Sequence, residues 1–340
     1  MKSKTIILNQ KRNVSLTTYL QDVGGEYRYV TRRPAVLIIP GGGYQFCSDR
    51  EADPVAYPFL QAGFQAFILR YSVKEDAVWP TPLEDYEQAM AMIRANAEDW
   101  NLYPDKIAVI GFSAGGHLAA SAATMSKNRP DAAILGYAVT LGDCARECCP
   151  TAPDAVSAVD QNTPPCFLFA TRTDQVVPVR NTIAMADALD KAGVAFECHI
   201  YAFGPHGFST GDSSIQSTDS GLCCRAPNWV SDSIGWLRDV LGDFGPDGMT
   251  QPRCGTHVNA DYDPFLSLDC TIGRLMGNPE AAKLLQPLLS RDRRTSASQS
   301  TAEMSDMEKR MKLRDALVYA HVPAETLKAL ADQLSAIPNI

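Results

Sequence analysis

The sequence predicts an α/β fold in which a mostly parallel sheet is covered by helices on both faces. Three observations lead to this prediction: short uninterrupted apolar runs, amphipathic segments between them, and glycine-rich turns where a run gives way to a helix. Uninterrupted apolar runs are typical of parallel strands buried on both faces. Their alternation with helical segments is typical of a doubly wound sheet.

Six apolar runs supply the predicted parallel strands. They are Ala35–Ile39, Gln65–Leu69, Lys106–Ile110, Ala132–Leu135, Cys166–Phe169 and Phe196–Tyr201. Ahead of them, Thr5–Leu8 and Val14–Leu20 predict two antiparallel strands, which we expect at one edge of the sheet.

Helices are predicted between these strands. After Pro82, apolar side chains recur at steps of three and four: Leu83, Tyr86, Met90, Ile93, Ala97 and Trp100. This spacing places them on one face of a helix. Ser48-Asp-Arg-Glu51 has the form of a capping box that opens another helix, so we interpret Asp49 and Glu51 as helix-start charges. A further helix is expected from Val179 to Lys191, and Gly193 is placed to end it.

The length and a change in composition predict two domains. At roughly 150 residues a domain, a chain of 340 residues suggests two. After a helix from Asn228 to Phe244 the strand pattern stops. We therefore predict a catalytic domain over 1–245 and a small helical domain over 246–340, with a mobile segment near 290–305. Helices near Met307–Ala320 and Pro323–Ile337 are expected to end the chain.

Composition and charge exclude several function classes. Hydrophobic residues make up 45% and charged residues 21%, as in an ordinary globular chain. A net charge of -8 argues against a nucleic-acid partner, which would need a basic face. No run of eighteen apolar residues is present to span a membrane, and the first ten residues lack the apolar core of a signal peptide. We therefore expect a cytoplasmic protein with reduced cysteines.

The sequence Gly111-Phe-Ser-Ala-Gly115 is the strongest chemical signal. It is a G-x-S-x-G motif that follows one predicted strand and opens a helix. Small residues on either side of Ser113 permit a tight turn that projects its hydroxyl above the carboxyl edge of the sheet. The backbone N–H groups at the start of the helix favour a developing negative oxygen there. This context predicts a nucleophilic serine.

Two downstream residues supply a base and an acid for this serine. Asp174 follows the Cys166–Phe169 strand, and His206 follows the Phe196–Tyr201 strand. Both are therefore expected at the same sheet edge as Ser113, in the chain order Ser, Asp, His. We predict that His206 is the general base and that Asp174 orients it. Asp143, after the preceding strand, is the alternative acid.

A glycine run completes the predicted machinery. Pro40-Gly-Gly-Gly-Tyr44 comes directly after the Ala35–Ile39 strand. Backbone N–H groups of Gly42 and Gly43, with that of Ala114, are predicted to hold the oxyanion of a tetrahedral intermediate. A phosphate-binding loop is disfavoured, because neither a P-loop lysine nor a G-x-G-x-x-G spacing is present.

Two further groups of residues are candidate binding sites. A zinc site is disfavoured, because adjacent cysteines rarely chelate one ion, and we predict no metal and no cofactor. The cysteines in question are Cys144, Cys148, Cys149, Cys223 and Cys224. Four aromatic residues follow strands that point at the predicted active-site edge and are candidates to stack on a sugar ring, although ordinary packing explains each as well. They are Tyr44, Phe46, Tyr71 and Trp79.

By this combination of motifs the chain resembles members of the α/β-hydrolase superfamily. Within that superfamily it resembles bacterial esterases related to acetylxylan esterases and to hormone-sensitive-lipase-like carboxylesterases. The resemblance covers roughly Arg33 to Leu241 and rests on Pro40–Tyr44, Ser48–Glu51, Leu69–Tyr71, Gly111–His117, Asp174–Pro178 and His206-Gly207. It implies hydrolase activity carried by the proposed triad and oxyanion donors. Lipase-like members have histidine at the position of Pro40, so the resemblance favours the acetylesterase type.

The sequence therefore predicts a serine carboxylesterase for short-chain acetyl esters, and the resemblance implies plant-derived oligosaccharides as substrates. An arylformamidase or other amidase, or a small-peptide serine hydrolase of the same fold, stays open as an alternative. A non-catalytic interaction module acting through the C-terminal helices is an alternative of a different class. Those helices are also candidates for homo-oligomer contacts.

Overall fold

The computed structural model describes residues 1–292 and 304–339, and an eight-stranded sheet organises the larger part of them. The strand order is β1-β2-β4-β3-β5-β6-β7-β8. The strands are β1 (Lys2–Asn9), β2 (Val14–Leu20), β3 (Arg33–Ile39), β4 (Gln65–Arg70), β5 (Leu102–Phe112), β6 (Ala132–Gly136), β7 (Cys166–Thr171) and β8 (Phe196–Tyr201). The segment near 290–305 that the sequence predicts to be mobile lies mostly outside the described residues.

The sheet is parallel except at one edge. Strands β3 to β8 pair in parallel, whereas β1 pairs antiparallel with β2, and β2 pairs antiparallel with β4. All residues of β3, β6 and β7 are buried, as expected for strands covered on both faces. The first residues of β1, among them Lys2 and Lys4, are exposed at the open edge. This arrangement confirms the predicted fold class.

Six helices connect and cover these strands. They are α1 (Asp53–Gln61), α2 (Thr81–Ala95), α3 (Ser113–Met125), α4 (Gly142–Cys148), α5 (Arg180–Lys191) and α6 (Trp229–Leu241). Helix α2 ends before Ala97 and Trp100, the last two residues of its predicted apolar face. Trp100 instead stacks on Phe67 of β4, with ring centroids 5.4 Å apart, so its partly buried ring still packs against the sheet after the helix stops.

The predicted capping box at Ser48 is wrong. The Ser48 side chain makes no capping hydrogen bond, and only a short 3₁₀ turn, Asp49–Glu51, follows it. The helix begins at Asp53, where Pro54 suits the first helical turn. Glu51 is not an exposed helix-start charge, because its side chain turns inward and is only 3% exposed.

Two apolar layers hold the helices against the sheet. On one face, side chains such as Leu37, Met90 and Leu118 form one buried cluster. On the other face, Phe169 of β7 stacks on Trp229 of α6 with ring centroids 4.4 Å apart. Because both faces are packed, the carboxyl ends of the strands form a firm edge on which loops can be positioned.

The chain divides into two units, Met1–Thr256 and His257–Ile340, so the boundary lies eleven residues beyond the predicted one at 245 (256 − 245). The intervening residues belong to the first unit. Strands β9 (Phe244–Gly245) and β10 (Gly248–Met249) form a small hairpin. The backbone N–H groups of Arg253 and Cys254 then donate to the carbonyl oxygen of Asp239.

The second unit is helical. Its helices are α7 (Ile272–Gly277), α8 (Pro279–Asp292), α9 (Asp306–Arg310), α10 (Leu313–Tyr319) and α11 (Ala324–Leu334). The single helix predicted near Met307–Ala320 is therefore two. It breaks at Met311, whose carbonyl oxygen accepts a hydrogen bond from the N–H of Ile272 instead of continuing the helix. Leucines from these helices share a core of their own.

Candidate active site

Ser113 stands at a sharp turn between β5 and α3. Its φ is +53°, in the left-handed region that non-glycine residues seldom adopt. The flanking glycines allow the turn because it is crowded. A Cβ on Gly111 would lie 2.4 Å from the carbonyl oxygen of Gly115, and one on Gly115 would lie 2.2 Å from that of Ile39. The G-x-S-x-G spacing therefore has a direct steric reason.

The structure brings Ser113, His206 and Asp174 together at the carboxyl edge of the sheet. The Oγ of Ser113 lies 2.9 Å from Nε2 of His206, and Nδ1 of His206 lies 2.7 Å from Oδ2 of Asp174. With a proton on Nδ1, the imidazole donates to Asp174 and accepts from the serine hydroxyl. This is the arrangement that a nucleophilic serine with a histidine base requires.

Asp174 is held by the backbone, and the alternative acid lies elsewhere. The Oδ1 of Asp174 accepts hydrogen bonds from the N–H groups of Val176, at 2.8 Å, and Val177, at 2.9 Å. Its side chain is only 1% exposed, so the oxygen facing His206 is shielded from water. Asp143 instead forms an exposed ion pair with Arg180, 2.8 Å apart. The geometry favours Asp174 as the partner of His206.

The glycine loop after β3 lies against this serine. Gly42 has a φ of +129°, and a Cβ there would lie 2.1 Å from the carbonyl oxygen of Phe46, so only glycine fits. Gly42 and Gly43 line a cleft together with Ser113 and His206. Ala114 is buried in the first turn of α3, where backbone N–H groups are free of helical partners.

The cleft has a volume of about 680 Å³ and a mixed polar and apolar lining. It is lined by Gly42, Gly43, Phe46, Ser48, Arg50, Glu51, Ser113, Val139, Cys144, Glu147, Cys148, Gln175, Val176, Val177, Pro178, Arg180, His206 and Gly207. Of the four aromatic residues predicted to contact substrate, Phe46 lines it and is 59% exposed.

The other three aromatic residues are outside this lining. The predicted substrate contacts of Tyr44 and Tyr71 are wrong because both rings are buried, whereas that of half-buried Trp79 stays a prediction. Tyr44 and Tyr71 are each 1% exposed. The hydroxyl of Tyr71 donates to the carbonyl oxygen of Pro40. Trp79 packs edge-on against His117, with ring centroids 5.2 Å apart. Tyr71 thus contacts the glycine loop, and Tyr44 and Trp79 contact His117 of helix α3.

His117 is a buried neutral histidine. Its Nδ1 lies 2.7 Å from the hydroxyl of Tyr44, and its Nε2 lies 3.0 Å from the carbonyl oxygen of Pro153. A single proton on Nε2 satisfies both contacts, since the tyrosine then donates to Nδ1. Burial lowers the pKa of His117 to about 4, although the Pro153 carbonyl opposes this shift.

Sequence reasoning missed a buried pair beside the serine, Glu51 and Tyr137. The Tyr137 hydroxyl donates to Oε1 of Glu51 at 2.6 Å, and the N–H of Gly41 donates to Oε2 at 2.8 Å. Burial, followed by the nearby charge of Glu51, raises the pKa of Tyr137 well above its usual value. No sequence signal marks the pair, because Glu51 lies just before helix α1, where an acidic residue is equally well explained as a charge at the start of a helix.

Cysteines line part of the cleft. Cys144 and Cys148 belong to its wall, whereas Cys149 is buried and its thiol donates to the carbonyl oxygen of Ala77. The ten cysteines are free thiols. Within residues 1–292 and 304–339, no three His, Cys, Asp or Glu side chains are grouped so that they could hold a metal ion. In the same residues, no helix has the length and apolar character needed to cross a membrane.

Two family descriptions match parts of the first unit. The BD-FAE family matches residues 26–140, and the prolyl oligopeptidase family matches residues 151–222. The first match contains Ser113 and the glycine loop, and the second contains Asp174 and His206.

Individual relatives agree with these matches. The chain is 33% identical to endo-1,4-beta-xylanase B of Butyrivibrio fibrisolvens, with 56% of this chain and 35% of that protein covered. It is 31% identical to the acetylxylan esterase of Xylanibacter ruminicola, with coverages of 52% and 41%. The chain thus spans between a third and a half of the length of these curated relatives.

A match to a solved structure covers more of this chain than the matches to these two relatives. MGS-M1, an alpha/beta hydrolase enzyme from a Medee basin deep-sea metagenome library, is 44% identical to this chain with a TM-score of 0.66. The match covers 71% of this chain and 98% of that one. By its fold and by its identity to this structure, the chain belongs to the α/β-hydrolase family.

Proposed function

We propose that this protein is a serine carboxylesterase that hydrolyses short-chain, above all acetyl, esters through an acyl-enzyme. The observation that carries the proposal is the continuous hydrogen-bond relay from Ser113 through His206 to Asp174, with distances of 2.9 and 2.7 Å. The relay opens onto a cleft that also contains two of the proposed oxyanion donors.

In the proposed mechanism, the Oγ of Ser113 attacks the acyl carbonyl carbon while its proton passes to Nε2 of His206. Asp174 keeps the ring oriented and stabilises the imidazolium. His206 then returns the proton to the departing alcohol oxygen as the bond from carbon to that oxygen breaks. Water, deprotonated by His206, attacks the acyl-enzyme, and the carboxylic acid leaves as Ser113 regains its proton.

The proposed oxyanion donors are the N–H groups of Gly42, Gly43 and Ala114. Gly42 and Gly43 both have positive φ values and line the cleft, where they place no side chain between the loop backbone and a substrate. Ala114 adds an N–H from the first turn of α3. Such donors stabilise the negative oxygen of the tetrahedral intermediate more than the neutral carbonyl of the substrate, which is the requirement for catalysis.

An acetylated plant oligosaccharide is the proposed substrate. Similarity to an acetylxylan esterase and to a xylanase supports it. The cleft of about 680 Å³ is large enough for more than the acyl group, and exposed Phe46 on its wall offers an aromatic face to a sugar ring.

A panel of acetylated xylo- and manno-oligosaccharides, with mass spectrometry of the products, tests this substrate class directly. Chain-length selectivity is measured on p-nitrophenyl esters from acetyl to octanoyl. We expect kcat/KM to fall steeply along this series, whereas a flat profile would contradict the preference for small acyl groups.

Amide substrates are the second candidate. The match of residues 151–222 to the prolyl oligopeptidase family favours a small-peptide hydrolase or amidase that uses the same triad. Formyl-arylamide and dipeptide p-nitroanilide substrates, assayed beside acetyl esters at equal concentration, separate the two. We expect the acetyl esters to be turned over faster.

For the helical unit we propose a role in self-association or in binding another protein. Large apolar side chains there are exposed, among them Phe265 at 52%, Met307 at 73% and Tyr319 at 87%. Light scattering of the full chain over a range of concentrations tests self-association. The cytoplasmic location stays a prediction from the sequence.

A further inference from the structure

A buried carboxylate lies beside the Ser113 turn and takes no part in the proposed proton relay. Glu51 is 3% exposed, and its Oε2 accepts the N–H of Gly41 at 2.8 Å. A Cβ built on Gly41 would lie 2.8 Å from this oxygen and 3.0 Å from the Cβ of Ser113. Glu51 therefore holds the first residue of the glycine loop where that loop touches the nucleophile.

The other carboxylate oxygen leads to the loop that carries His206. The Tyr137 hydroxyl donates to Oε1 of Glu51 at 2.6 Å and accepts the N–H of Ser209 at 3.0 Å. The Tyr137 ring also packs edge-on against the His206 ring, with centroids 5.0 Å apart. One buried chain of hydrogen bonds thus joins the glycine loop to the histidine loop.

The charge of Glu51 is not explained by an ion pair. No lysine, arginine or histidine lies within salt-bridge distance of Glu51 among the residues that the structure describes. Burying a carboxylate costs free energy, and this one lies where a second negative charge would develop during ester hydrolysis. The negative charge of Glu51 therefore disfavours the oxyanion. Glu51 assists catalysis only if the hydrogen bonds by which it fixes the glycine loop stabilise the transition state by more than this repulsion costs.

A second buried carboxylate in the chain shows what a purely structural role looks like. Asp85 is fully buried, forms an ion pair with Arg12 at 2.7 Å, and accepts the N–H of Ser72 at 2.9 Å. Asp85 does not line the cleft. It is a matched control, because it too is a buried acid that accepts a backbone N–H, but its charge is paired, and helix α2, on which it lies, carries no proposed catalytic group.

We propose that Glu51 is a positioning residue. Through Tyr137, it fixes the position of the glycine loop relative to the loop that carries His206. The oxyanion donors and the general base are then in place together before substrate arrives. The inference rests on the proposed esterase function. It predicts that loss of either partner weakens transition-state binding, while the binding of substrate in its ground state changes little.

The test compares Glu51→Gln and Tyr137→Phe with the control Asp85→Asn in the full chain. For each, kcat and KM are measured on p-nitrophenyl acetate, and rates are divided by the concentration of active sites titrated with a fluorophosphonate. The inhibition constant of phenylboronic acid, which forms a tetrahedral adduct on a reactive serine, reports transition-state binding independently of turnover.

We expect Glu51→Gln to lower kcat per active site roughly 10- to 100-fold, below the full cost of losing an oxyanion donor, with KM changed less than about threefold. Inhibition by phenylboronic acid should weaken by a similar factor. Tyr137→Phe should act in the same direction. The double variant should be little worse than Glu51→Gln, because the two residues act in one chain. Asp85→Asn should lower the Tm without changing kcat per site.

Normal kcat per site in both Glu51→Gln and Tyr137→Phe would overturn the inference, as would a loss confined to the number of titratable sites. If Glu51→Gln does not fold, Tyr137→Phe decides by the same criteria. An inactive wild-type protein, or an active Ser113→Ala protein, would instead overturn the proposed esterase function. The failure of one proposal is therefore distinguishable from that of the other.

Discussion

The two units of the chain differ in what they bury. In the part of the chain that the structure describes, all buried polar and charged side chains lie in the first unit, from Ser15 to Ser233. The core of the second unit is built from residues such as Leu275, Leu313 and Leu334. A simple apolar core is sufficient for a small helical fold. Among the buried polar side chains of the first unit are Ser113, Glu51 and Asp174, which meet at the candidate active site although burying such groups costs free energy.

The largest effect is expected from removing the proposed nucleophile of the first unit, a change that alters neither hydrophobic core. Ser113→Ala should lower kcat/KM on p-nitrophenyl acetate by roughly 10⁴-fold or more, because the other triad members cannot act without the nucleophile. Ser121→Ala, a buried serine on the same helix outside the cleft, is the control. Comparable losses in the two variants would show that damage to α3, and not the missing hydroxyl, is responsible.

Acid should destabilise the first unit through His117. Its pKa is about 4 in the folded chain against an ordinary value of 6.5, so between these values the unfolded chain takes up a proton that the folded chain does not. This linkage should remove about 3 kcal/mol of stability as the pH falls from 6.5 to 4. His117→Gln should be less stable at pH 7 but lose this part of the pH dependence.

Urea unfolding at several pH values, followed by tryptophan fluorescence, measures that linkage. All four tryptophans, Trp79, Trp100, Trp229 and Trp236, belong to the first unit, so the signal reports that unit alone. An unfolding free energy of His117→Gln that falls as steeply with acid as that of the wild type would contradict the assignment to His117.

A pair of glycine substitutions compares a crowded position with an open one. Gly115→Ala should destabilise the first unit by about 1–3 kcal/mol, because the new Cβ would meet backbone oxygens, the nearest at 2.2 Å. Gly235→Ala, inside α6 with nothing within 4 Å, should stabilise by about 0.5–1 kcal/mol. Urea midpoints measure both, and equal shifts of the same sign would contradict the steric account of the serine turn.

Removal of the second unit should have the smallest effect on chemistry. A chain ending at Thr256 keeps all the residues that line the cleft. We expect kcat/KM on p-nitrophenyl acetate to stay within about twofold of the full chain, as for distant and independent sites. A loss of more than about tenfold would mean that the helical unit contributes to the active site.

Sequence reasoning went furthest where the backbone alone decides the outcome. Apolar runs and the chain order of Ser113, Asp174 and His206 were sufficient to predict the fold class and to expect these three residues at one edge. The reason is that parallel strands bring their carboxyl ends together whatever the details of packing. The catalytic roles of the three residues stay predictions until the variants are assayed.

Sequence reasoning failed where the direction of a side chain decides. Tyr44 and Tyr71 follow strands that end at the cleft, but their rings turn inward to His117 and Pro40. Glu51 has the position of a helix-start charge, but it accepts hydrogen bonds from the glycine loop and Tyr137. These contacts join residues up to 86 positions apart, which local patterns in a sequence do not reveal.

The β1 edge of the sheet bears on how the protein behaves at high concentration. Strand β1 offers unpaired backbone groups to any other strand, but it carries two lysines and no acidic residue. When two such edges approach one another, their positive charges accumulate and repel, which opposes growth of one sheet onto the next. Neutralising Lys2 and Lys4 would remove that repulsion and leave an edge prone to fibrous aggregation.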